Sequence, residues 1–73
     1  MNKTDLEAFF NLTNFIYSGM LDATHKANAY ETKRELLTAF PDLKVIDKAF
    51  FAWEIKGADY PTIEDFEYLT EEA

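Results

Sequence analysis

Apolar residues recur at three- and four-residue steps along most of this chain, the period of helices that bury one face. From Asp5 to about Asn28 the stripe is Leu6, Phe9, Phe10, Thr13, Ile16, Tyr17, Met20, Thr24 and Ala27, with Glu7, Asn11, Ser18, Asp22 and His25 opposite. Thr4 with Glu7 three residues on has the form of a capping box. Gly19 costs about 1 kcal/mol inside a helix, so a break at Ser18-Gly19 is the alternative. The stripe stays in phase across it, which favours one long N-terminal helix.

A bend near Asn28 to Tyr30 leads to a second helix over 31–40, where Lys33, Leu36, Leu37 and Phe40 share a face. Pro41 ends it by pushing its predecessor out of helical geometry. The stretch 42–56 carries two periods. Leu43, Ile46, Phe50 and Trp53 form a helical stripe, whereas Phe51, Trp53 and Ile55 alternate as in a strand. Pro41 near the first turn and Gly57 just past the end favour helix. Val45, Phe51, Ala52 and Ile55 then lie off the stripe, so this segment is either central in the core or shared with another chain.

Gly57 to Pro61 has turn composition, and Thr62 with Asp65 three residues later opens a final helix whose Ile63, Phe66 and Leu69 face inward. The expected fold is all-α, a compact bundle of three or four helices with a long N-terminal helix. An α+β fold with a small hairpin in 42–56 is second. The 73 residues are expected to form a single small helical domain ending in an acidic helix at 62–72.

Charge divides this frame unevenly. Residues 1–56 hold 8 acidic and 7 basic residues, and residues 57–73 hold 6 acidic and none basic, within a net charge of −7. Glu64, Glu67 and Glu71 follow a spacing that puts carboxylates about 5–6 Å apart on one helical ridge, flanked by Asp65 and Glu72, with Tyr68 among them. Two readings compete: a solvated face that keeps an apolar protein dissolved, or a docking surface for a basic cleft, including one that normally grips a nucleic-acid backbone. In the second reading Tyr68 stacks as a base does.

Composition removes most chemistry. There is no Cys, one His and two Gly, so thiol nucleophiles, thiolate zinc sites, His clusters and glycine-rich phosphate loops are excluded. No catalytic residue, metal ligand or cofactor is expected, and His25 beside Asp22 reads as a solvated polar residue. Asp22 and Asp47 lack the spaced oxygen ligands and glycine of a calcium loop. The acidic balance argues against direct nucleic-acid binding, and no apolar run approaches the ~20 residues that span a bilayer. With no recognisable secretion signal, a cytoplasmic location is expected, the host cytoplasm if the chain is phage-encoded.

Lys44 and Lys48 sit one turn apart beside Phe51 and Ile55, a small mixed patch read as structural. Lys33 and Arg34 near Glu31 and Glu35 read as surface ion pairs. Hydrophobic residues make up 48% of the chain and aromatics 16%, more than a domain of this size can cover. Phe15, off the first helix's stripe, is either covered by segment 42–56 or used between two copies of the chain; in the second case Phe15, Phe51, Trp53 and Ile55 are the expected self-association surface, giving a homodimer. These features favour a small acidic protein without catalytic activity that binds another protein, most concretely an inhibitor occupying a basic, nucleic-acid-binding surface. Phage and mobile-element products that counter host defences share this composition. The alternative is a self-assembling structural or regulatory subunit.

Overall fold

The computed structural model describes residues 1–19 and 22–70. It is an all-α bundle: α1 (Lys3–Ser18), α2 (Ala23–Ala39), α3 (Lys44–Lys56), a 3₁₀ turn at Pro41–Leu43 and a C-terminal 3₁₀ helix at Ile63–Thr70. No strand occurs among the described residues, so the hairpin alternative for 42–56 falls away.

Helix α1 starts earlier than the Thr4–Glu7 pattern suggests. The Asn2 side chain caps it, accepting from the Asp5 backbone N–H at 2.8 Å, and Leu6 N–H bonds the Asn2 carbonyl at 3.2 Å. Thr4 is thereby already inside the first turn. Asn is among the strongest capping residues, and its position sets the start of the helix.

The single helix expected from Asp5 to Asn28 is two helices. Gly19 adopts the left-handed conformation at φ 70°, and its N–H bonds the Ile16 carbonyl. That geometry is open to glycine at little cost and ends a helix. Asp22 then caps α2, its carboxylate accepting from His25 N–H at 2.9 Å. Thr24 and Ala27, the distal end of the expected stripe, are exposed, and Met20 lies outside the described residues. The bend expected at Asn28 to Tyr30 is absent, since α2 runs unbroken through it. An in-phase stripe cannot decide between one helix and two; the terminating glycine and the following cap do.

The later boundaries agree with the sequence. Helix α2 stops before Pro41, which opens the 3₁₀ turn feeding α3, and Gly57 at φ 72° closes α3 with Ala58 N–H bonded to the Ala52 carbonyl. A left-handed glycine just past the last turn is a common helix C-terminus.

Helix α1 is the hub, packing against α2, α3 and the C-terminal 3₁₀ helix. Leu6, Phe9 and Phe10 meet Leu43, Ile46, Phe50 and Phe66 in one buried cluster. Thr13 is also fully buried, its hydroxyl donating to the Phe9 carbonyl. The Cα envelope measures 38 × 27 × 16 Å. Packed helices lie about 8–10 Å apart, so the short dimension holds two layers and every helix keeps a face in solvent.

Candidate functional site: an acidic ridge and a lysine groove

Tyr60 fixes where the C-terminal segment lies. Its ring packs edge-on against Trp53 at 4.8 Å and Phe50 at 5.9 Å, and its hydroxyl donates to Asn14 Oδ1 on α1. With Pro61 buried just after it, the chain leaving α3 is laid back over α1. The turn composition of Gly57 to Pro61 carries no sign of this anchor.

The final segment is a 3₁₀ helix rather than an α-helix, and this changes its faces. Residues three apart eclipse one another in a 3₁₀ helix, whereas in an α-helix they drift by about 60° per step. Ile63, Phe66 and Leu69 therefore stack as one inward ridge, with Phe66 buried and the others half-buried on the core. Glu64 and Glu67 stack on the second ridge, exposed, and Asp65 and Tyr68 on the third. The strict three-residue apolar repeat was the available signal for this geometry. Asp65 also marks the start of the helix, since its carboxylate accepts from Thr62 N–H at 3.2 Å. The expected cap is thus supplied from the third position, by Asp65. Glu71 and Glu72 lie outside the described residues.

On α3 the outward side carries the opposite charge. Lys44, Lys48, Phe51 and Lys56 border a groove of about 300 Å³ that Tyr17 of α1 closes from the other side. Phe51 is 49% exposed and Ile55, one turn further, 64%. Asp47 also lines this groove, but its carboxylate is held at 2.5 Å by Lys33 Nζ from α2. Lys33 is not the surface residue expected: it is 7% exposed, with Nζ 5.8 Å from the ring centres of both Phe9 and Tyr17. Its place among Leu36, Leu37 and Phe40 on one face was the sequence signal for burial. Tyr17 stacks on Phe50, and burial, reinforced by the negative charge of Asp47, raises its phenol pKa above the usual tyrosine value.

The structure separates the four residues expected to mediate self-association. Phe51 and Ile55 share the exposed α3 face. Trp53 lies about 200° round the helix from Phe51 and is half-buried against Tyr60 and the core. Phe15 is 40% exposed and stands about 200° round α1 from Tyr17, away from the groove. Segment 42–56 therefore does not cover Phe15. His25 is exposed, its ring bonded to Asp22 at 2.8 Å as part of the α2 cap. Among the described residues no group of three or more His, Cys, Asp or Glu is placed to hold a metal, and no helix is long and apolar enough to cross a membrane. The chain matches no protein-family model, no curated protein and no solved structure.

Proposed function

We propose that this protein is a non-catalytic protein-binding module that presents the ridge of Glu64 and Glu67, with Asp65 and Tyr68 beside it, to a basic surface of another protein, acting as an inhibitor where that surface binds nucleic acid. The observation that carries the reading is the 3₁₀ geometry. It clamps Ile63, Phe66 and Leu69 onto the core and so fixes the backbone from which the carboxylates of the neighbouring ridge project. An array of negative charge on a fixed backbone gains more from a basic cleft than one on a mobile backbone, because less backbone freedom is lost on docking. Tyr68, 55% exposed within the array, adds a ring able to stack where a base would.

The test compares the parent with the Glu64→Gln/Asp65→Asn/Glu67→Gln variant, each immobilised and exposed to extract of the source cell or its host. The parent is expected to retain basic, nucleic-acid-binding proteins that added duplex DNA displaces, and the variant to lose them. Identical sets retained by both would end the proposal. Thermal stability of the variant separates the charge effect from damage to the fold, and it should stay within about 0.5 kcal/mol of the parent.

A further inference from the structure

The lysine groove of α3 and the acidic ridge are two faces of one chain with opposite charge and the same repeat. Lys44 and Lys48 are four residues apart on an α-helix, a rise of about 6 Å at 1.5 Å per residue. Glu64 and Glu67 are three residues apart on a 3₁₀ helix, also about 6 Å at 2.0 Å per residue. Two rows of charge with equal spacing can pair at both positions at once. Between the lysines the groove holds about 300 Å³, twice the roughly 150 Å³ that admits a benzene ring, with Phe51 and Tyr17 as its aromatic walls. Tyr68 projects beside the acidic ridge and is itself exposed.

We infer that the α3 groove is a docking site for the C-terminal 3₁₀ helix of a second copy of this chain, Glu64 and Glu67 pairing with Lys44 and Lys48 while Tyr68 enters the groove against Phe51. The inference rests on the ridge being a docking element, as proposed above, and adds its regulation: self-association covers the same carboxylates that an external partner needs. The partner must then compete with a second copy, so the free ridge becomes scarcer as the protein concentration rises. Net repulsion between two chains of charge −7 does not prevent this near 0.15 M salt, where the Debye length is about 8 Å and pairs in contact outweigh distant charges.

The experiment is a charge-reversal cycle followed by sedimentation equilibrium at about 0.15 M salt. The parent should show an average mass above that of one chain, rising with concentration. Lys44→Glu/Lys48→Glu and Glu64→Lys/Glu67→Lys should each weaken association at least tenfold, and their equimolar mixture should restore it, because each reversed face then meets an opposite one. Far-ultraviolet circular dichroism checks that both variants keep the parent's helix content, as substitutions at exposed positions should. Tyr68→Ala, which alters no charge, should weaken association on its own. A parent that stays at the mass of one chain up to about 1 mM, or a mixture of folded variants that fails to associate, overturns the inference. The Lys44→Glu/Lys48→Glu variant also separates the two readings. It should retain the displaceable basic proteins as well as the parent or better: a parent that retains them but never self-associates overturns the inference alone, and a parent that self-associates through these faces but retains no such protein overturns the proposed function alone.

Discussion

Helices α1 and α3 are joined by hydrocarbon, whereas α2, packed on α1, is tied to α3 by a charge. Between α1 and α3 the buried residues are Leu6, Phe9, Phe10, Leu43, Ile46 and Phe50, with Phe10 and Phe50 in aromatic contact at 5.3 Å. Helix α2 buries only Ala29 and Lys33, and its Leu36 and Leu37 reach the edge of the cluster half-exposed. Small Ala29 gives α2 a narrow surface to lay against its neighbours, and the Lys33 ammonium spans the remaining distance to Asp47 on α3 under two aromatic rings. Apolar packing is non-directional and tolerates adjustment; a buried ion pair fixes position but is intolerant of losing one member. The two joints should fail differently.

The largest difference is expected in the hydrocarbon joint. Phe50 is fully buried and meets Phe10, Tyr17 and Tyr60, so Phe50→Ala should remove about 3–5 kcal/mol. A domain of this length has roughly 4–11 kcal/mol in total, so the variant should lose about half of its stability and unfold at a markedly lower temperature by circular dichroism. A cooperative transition close to that of the parent would mean that this cluster is not the centre of stability.

Next comes the asymmetry of the ion pair. Asp47→Ala leaves the Lys33 ammonium buried with only ring faces around it and should cost about 2–3 kcal/mol in urea unfolding. Lys33→Met keeps the aliphatic volume and frees a carboxylate that is partly open to solvent, so its cost should stay below about 1 kcal/mol. Equal losses in the two variants would show a simple attraction rather than a desolvated lysine that depends on its partner.

The smallest effect lies where the two joints meet, at Tyr17. Its folded pKa is raised, by burial first and by Asp47 second, so folding holds the proton more tightly than the unfolded chain does. That contribution is complete below about pH 10 and is lost as pH climbs through the folded value. Phenolate absorbance should therefore show a late-ionising tyrosine, and Tyr17→Phe should remove that late step. Its absence from the parent's titration would mean that the groove floor is fully wetted.

Much of the fold was legible in the residues because it depends on local chemistry. The helical period, the stop before Pro41, the left-handed close at Gly57 and the inward set Ile63, Phe66 and Leu69 all follow from interactions within a few positions along the chain. That Val45, Phe51 and Ile55 lie off the α3 stripe was legible too, but not whether the segment is central in the core; the structure leaves all three exposed. The division at Gly19 was legible as an alternative but not decidable, since a stripe in phase is compatible with one helix or with two.

What only the tertiary structure decided concerns contacts between residues far apart in sequence. Lys33 meets Asp47 because packing on α1 places both within reach of one long lysine side chain, and no spacing within either helix encodes that meeting. Tyr60 reaches Asn14 and Trp53 together only because the chain folds back over α1, and the same return path lays the final segment on the core. By itself the sequence determined the sign and the neighbours of each charge. The register of the carboxylates, and the basic groove that Tyr17 completes on the other face, were decided by packing, because a ridge is defined by which side of a helix is already buried.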